Sequence, residues 1–247
     1  LIHCNIKQNS GPGVSTLKKK MSKTIVIIGG SSGISAALAD RLLAEGHRVL
    51  TRCRREGPGE WAPFDAADEA SELALPDHID GLVYAPGSIN LKPFKGLRPN
   101  DWQSDWNINV MGAVRVLQRA EKALLASGSG SVVLFSTVAV GTGMPYHASV
   151  AASKGALEGL CRSLAAEWAP KIRVNAIAPS ITDTPMAQRL LSSPEKKDNS
   201  KQRHPLQRIG SEEELAGLSS FLLSEAAAGL TGQILRPDNG LGSLRLL

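Results

Sequence analysis

A run of small residues, Gly29-Gly30-Ser31-Ser32-Gly33-Ile34-Ser35, sits between four apolar residues at 25–28 and an alanine- and leucine-rich stretch at 36–45 that Gly46 closes. Strand, glycine turn and helix start make a site for a pyrophosphate. Gly29 permits the tight turn and Gly33 lets backbone and phosphate approach. The free N–H groups of the helix's first turn face the anion, with Ser31, Ser32 and Ile34 completing the cradle. Arg52, Arg54 and Arg55 follow a second run at 47–51. In a dinucleotide site that place meets the adenosine ribose, where arginine favours a 2′-phosphate and an acid favours a free 2′-hydroxyl. Arginine there favours NADP(H), with NAD(H) as the alternative. Asp65 ends a short third run, where it suits either a hydrogen bond from the adenine amino group or a plain turn. Ser136 and Thr137 put two hydroxyls at the end of the apolar run 130–137, the end at which open parallel sheets bind ligands. Asn109 stands inside a helical run. Asparagine is an indifferent helix former, so its place there asks for a role.

The elements that would position these residues alternate along the chain. Strands are expected at 25–28, 47–51, 61–65, 80–87, 130–137, 172–178 and 231–235. Helices are expected at 36–45, 102–126, 147–168 and 212–224, with a brief one between the third and fourth strands. Val110, Ala113, Val114 and Leu117 set the helical period in the second of these. Ser211 caps the last, with acids in its first turn. Strands alternating with helices predict an α/β fold: a Rossmann-type, doubly wound parallel sheet in three αβα layers, as a single domain over 21–247. Residues 190–206 are polar and charged, as a mobile flap would be.

Composition narrows the function. A content of 42% hydrophobic residues supports a sizeable core. No run approaches the roughly 18 apolar residues of a membrane span. The net charge of +5 owes much to Lys7, Lys18, Lys19 and Lys20, in a stretch of twenty residues without an acid. A solvated tail accounts for them better than a nucleic-acid surface does. Residues 1–20 precede Met21, show no apolar period, and read as a leader or disordered extension. Cys4, Cys53 and Cys161 have no metal-ligand spacing, which points to a reducing, cytoplasmic setting.

Taken together, residues 23–240 resemble the short-chain dehydrogenase/reductase family. The glycine motif appears as Ile28 to Ser35. The helix-four asparagine matches Asn109, the active serine matches Thr137, and the strand-six motif appears as Asn175-Ala176-Ile177-Ala178-Pro179-Ser180-Ile181-Thr182-Asp183-Thr184. A C-terminal signature matches Arg208-Ile209-Gly210, Thr231-Gly232-Gln233 and Asp238-Asn239-Gly240. The resemblance implies hydride transfer between a nicotinamide and a small carbonyl or alcohol. Pro179, Ile181 and Thr184 would then secure the nicotinamide end, and Ala85-Pro86-Gly87 would stand in the family's Asn-Asn-Ala-Gly turn. It implies a homodimer or homotetramer through the helices holding Asn109 and Lys154. In the family a Tyr-x-x-x-Lys pair supplies the acid/base, the serine steadies the substrate oxygen and the asparagine fixes a water.

Here the lysine is Lys154, but four residues earlier stands Val150, which has no proton to give. A carbonyl taking hydride builds negative charge on oxygen, so a donor must wait there. At about 100° per residue, His147 falls about 20° from Lys154 on a helical wheel. Imidazole exchanges a proton near neutrality. Tyr146 precedes it and could reach in through the loop. Lys154 could itself deliver a proton if its pKa were depressed. Asn109, Thr137, Lys154, His147 and Tyr146 are therefore the candidate catalytic set. The expected protein is an NADP(H)-dependent oxidoreductase with an altered acid/base site. The alternative is a cofactor-binding sensor or partner of the same fold.

Overall fold

The computed structural model describes residues 22–245; the proposed leader at 1–20 lies outside them. Seven parallel strands form one sheet in the order β3-β2-β1-β4-β5-β6-β7. They are β1 (Thr24–Ile28), β2 (Arg48–Cys53), β3 (Glu60–Pro63), β4 (Gly81–Tyr84), β5 (Gly130–Phe135), β6 (Ile172–Ile177) and β7 (Ile234–Leu235). The helices are α1 (Gly33–Ala44), α2 (Pro99–Trp106), α3 (Gly112–Ala126), α4 (Ala148–Trp168), α5 (Pro194–Gln202) and α6 (Glu212–Leu223). Alternation along β1 builds both cores. Ile25 and Ile27 pack with Leu38 and Leu42 of α1 and Leu215 and Leu222 of α6. Val26 and Ile28 pack with Val116 and Leu117 of α3 and Leu157 of α4. The strand order reverses between β1 and β4, which opens a crevice at their carboxyl ends.

Three expectations need correction. The helix expected over 102–126 starts at Pro99 and is divided. α2 runs into a π-helical turn, Asn107–Met111, before α3. Such turns release a backbone carbonyl. Tyr84 Oη donates to Ile108 O at 2.6 Å, and a side chain on Gly112 would collide with that same hydroxyl. The glycine thus lets strand and bulge meet. Second, the brief helix between β3 and β4 is absent: residues 64–80 make no helix. Pro76 and the acids Asp65, Asp68, Glu69 and Glu72 leave no continuous apolar face there. Arginines hold the segment instead. Arg115 donates to Ala66 O at 2.7 Å, Arg119 to Ser71 O at 3.2 Å, and Arg52 to Ala74 O at 2.6 Å. Third, the segment 190–206 contains α5, capped by Ser193 with Pro194 in its first turn, a start signal that the polar composition hid.

Arg52 also donates to Thr51 O and Glu60 O, and its residue is only 7% exposed. Truncating it strands buried carbonyls, each at a cost of about 1–3 kcal/mol. Arg52→Met is expected to lose that order of stability in urea denaturation while NADPH and NADH affinities change alike. A selective loss of NADPH affinity would instead make Arg52 a phosphate ligand.

Candidate functional site

The crevice is a cleft of about 540 Å³ running from the turn after β1 to the segment around α5. Gly29 has φ +83°, and its N–H donates to Arg52 O at 2.9 Å, which closes the turn. Ser35 stands where the family pattern has its third glycine. Its hydroxyl donates to Gly29 O at 2.8 Å, so the departure locks the turn rather than disturbing it. At the start of α1, Ser32 makes no side-chain cap and the first turn holds no acid. The helix's leading N–H groups are therefore left without an internal acceptor, as an anion site needs.

Every cofactor residue named from the sequence lines this cleft: Gly29, Ser31, Ser32, Gly33, Ile34, Arg52, Arg54, Asp65, Ala85, Pro86, Gly87, Lys154, Pro179, Ile181 and Thr184. Their tasks divide differently from the expectation for the arginines. The Arg52 guanidinium is spent on backbone carbonyls, as described above, which corrects its reading as a phosphate ligand. Arg54 and Arg55 are exposed at the rim, and both charges are free to meet a phosphate. Asp65 accepts from Ala67 N at 2.9 Å, the turn role.

Lys154 projects from α4 to the end of β5, where its ammonium donates to Phe135 O at 2.7 Å. The residue is 6% exposed. Burial pulls its pKa down to about 8, and the Asp105 carboxylate partly opposes that. Asn109 lies on the π turn. A Cβ placed on Gly87 would lie 3.3 Å from both Asn109 Oδ1 and Lys154 Nζ, so the two groups flank one backbone point. Asn109 Nδ2 donates to Ser88 Oγ at 3.2 Å and Ser153 Oγ at 3.1 Å. Ser88 donates to Asp105 Oδ1 at 2.5 Å. Asn109 itself is fully buried and does not line the cleft; it reaches the cleft's edge through Ser88. Asp105, Ser88 and Ser153 were missed in the sequence. The available signal was Asp105 four residues before Asn109, two polar residues one turn apart on a buried helix face.

Any proton donor in this cleft has to come from a side chain that lines it. The chain has two tyrosines, and neither lines the cleft. Tyr84 is in the core, with its hydroxyl on Ile108 and its pKa driven well above the ordinary value by burial. Tyr146 is 60% exposed, with φ +69° turning it to the surface. That placement removes Tyr146 from the catalytic set. Val150 is buried against the cleft where the family tyrosine stands. His147 is the residue before α4 rather than within it, yet it lines the cleft. Its Nδ1 lies 2.7 Å from Pro145 O. A carbonyl only accepts, so Nδ1 carries a proton and Nε2 is the nitrogen left for the cleft. Thr137 Oγ1 accepts from Ala139 N at 3.3 Å, leaving its own proton to donate. Its neighbour Ser136 donates to the buried Glu158 at 2.7 Å and is committed to the core.

No group of three metal-ligating side chains occurs among the described residues. No helix among them is long and apolar enough to cross a membrane.

Comparison with known proteins agrees with this geometry. Residues 29–242 match the family model described as enoyl-(acyl carrier protein) reductase. A tropinone reductase homolog of Arabidopsis thaliana is 33% identical over 243 residues, covering 87% of this chain and 91% of that protein. L-xylulose reductase of Bos taurus is 33% identical over 230 residues, covering 87% and 94%. The crystal structure of a gluconate 5-dehydrogenase from Burkholderia cenocepacia, in complex with NADP and tartrate, superposes with a TM-score of 0.82 at 27% identity, covering 90% and 96%. With its parallel sheet, its glycine turn and its lysine at the end of β5, the chain belongs to the short-chain dehydrogenase/reductase family of oxidoreductases.

Proposed function

We propose that this protein is an NADP(H)-dependent oxidoreductase of a small carbonyl or alcohol, with a lysine-centred site in place of the tyrosine–lysine pair. The observation that carries the reading is the continuity of one cleft. It joins an uncapped helix N-terminus and free arginines at one end to Lys154, Thr137 and His147 at the other. The residues present fit a nicotinamide dinucleotide. The turn 29–34 offers N–H groups to the pyrophosphate, Arg54 and Arg55 offer charge to a 2′-phosphate, and Pro179, Ile181 and Thr184 line the far end. The relatives named for tropinone, L-xylulose and gluconate support a small substrate.

A bound reduced nicotinamide supplies the hydride. The chain's own task is the proton. Thr137 donates to the substrate oxygen and holds it in place. As negative charge builds there, the Lys154 ammonium gives up a proton and becomes an amine, while the oxygen becomes a hydroxyl. A pKa near 8 suits that exchange better than the ordinary lysine value does. Before the next turnover the amine takes a proton back from solvent through the cleft that Ser88 and His147 line. A second reading, cofactor binding without turnover, is favoured by one fact: Val150 presents methyl groups where a donor is needed.

Arg54→Ser is expected to weaken NADPH binding about tenfold or more, the loss of one charged hydrogen bond, and to leave NADH binding nearly unchanged in fluorescence titration. Lys154→Met is expected to lower kcat/KM on a panel of small ketones by about a hundredfold or more. Absence of turnover in the wild type, with activity created by Val150→Tyr, would favour the second reading.

Lys154 also sets a pH dependence of stability. Between about 8 and the ordinary 10.5, the folded protein has released a proton that the unfolded chain still holds. Unfolding then takes up a proton, so raising the pH through that window stabilises the cofactor-free fold. Urea denaturation should show wild type gaining stability relative to Lys154→Met across that range, and no relative change between pH 6 and pH 7, roughly, where both states are charged.

A further inference from the structure

Two of the buried polar atoms without a partner among the described residues belong to side chains that line the cleft: Ser180 Oγ and His204 Nε2. His204 lies just beyond α5 and is 1% exposed. Its Nδ1 is 2.7 Å from Ser200 O. That carbonyl can only accept, so Nδ1 bears a proton, and in that tautomer Nε2 is the nitrogen with the lone pair. The tautomer is fixed, and the acceptor is left without a donor.

The location of His204 indicates which part of a ligand it meets. Leu206 N donates to Asn239 O at 3.1 Å, and Pro205 packs within 3.0 Å of where a Cβ on Gly240 would stand. Leu241 follows and lines the cleft. A Cβ on Gly242 would meet Val138, the residue after Thr137, at 3.2 Å. His204 is thus tied to the Thr137 end of the cleft, away from the phosphate cradle. Ser180 follows Pro179 at the end of β6 and is 8% exposed. An enclosed acceptor and an enclosed hydroxyl at the reacting end call for a ligand that brings a donor of its own.

We propose that His204 Nε2 accepts a hydrogen bond from a hydroxyl group of the substrate, so that this cleft selects hydroxylated carbonyl compounds and their polyol products over plain ketones. Ser180 Oγ is the second group available to the same ligand. This inference rests on the reductase reading above and is tested so that the two fail separately.

The experiment compares matched pairs, acetoin with butanone and dihydroxyacetone with acetone, at saturating NADPH. The wild type is expected to favour the hydroxylated member by about tenfold or more in kcat/KM. His204→Asn keeps a donor for Ser200 O but offers nothing at the Nε2 position. It is expected to bring the ratio toward one, mainly by raising KM for the hydroxylated member. His204→Gln, whose amide oxygen can occupy the Nε2 position, should restore part of the preference. NADPH fluorescence titration shows that each variant is folded. A wild-type ratio near one, or a ratio that His204→Asn leaves unchanged, overturns the inference. If the wild type turns over none of the four compounds, the reductase reading loses its support, and the inference is decided by binding alone. Erythritol titrated into the NADP complex should then bind the wild type at least about tenfold more tightly than His204→Asn. Equal binding, or none, overturns it.

Discussion

An ammonium group inside a protein needs company, and Lys154 has one close acceptor, the carbonyl of Phe135. Much of the site follows from that bond. It fastens the first turns of α4 to the carboxyl end of β5, next to Thr137. It holds the charge where burial makes its proton easy to remove. The carboxylate that opposes the shift is Asp105, engaged by Ser88, which in turn accepts from Asn109. The turn after β4, α2, the π turn and α4 are therefore joined by polar bonds beside this cation. A half-satisfied network of this kind costs stability, and proteins retain such sites where a ligand completes them.

On the proposed reading, Val150 at the place of the family tyrosine leaves the hydride chemistry as it is and moves the source of the proton. With Tyr84 in the core and Tyr146 on the surface, no phenol reaches the cleft. What remains is an amine of lowered pKa, a threonine hydroxyl, and the imidazole of His147 with its exposed nitrogen set by Pro145. Val150 then serves as an apolar wall.

The parallel sheet and the glycine turn after β1 were legible because hydrophobic period and glycine placement are local signals. Asn109 was legible as an anomaly, but the π turn was not, since a one-residue bulge leaves the apolar spacing almost intact. Arg52 and Arg54 look equivalent in sequence. Alternation gives them the same face, and the end of the strand separates them: Arg52 lies within β2, where it meets the carbonyls of Thr51, Glu60 and Ala74, while Arg54 follows the last strand residue, Cys53, and is exposed. Tyr146 and His147 are neighbours whose fates differ through one positive φ. His204 was hidden inside a charged stretch, because a single buried residue just beyond a short polar helix gives no pattern to read. Its neighbours Pro205 and Leu206 are placed by residues more than thirty positions away.

The helix-less segment 64–80 has a bearing on affinity. Its ends are anchored: Phe64, Ala66 and Ile79 sit in the core, and Ile79 N donates to Ala123 O. Between Ala66 and Ile79 the chain is held by side chains, the arginines among them, more than by backbone bonds. Yet Asp65 and Ala66 form the wall that an adenosine would press against. A nucleotide that docks there must quiet this wall as it binds, and the entropy lost is deducted from its grip. The phosphate turn, held by Ser35 and Gly29, demands no such ordering. In the proposed complex, binding strength would then be weighted toward the middle of the dinucleotide rather than toward the adenine ring.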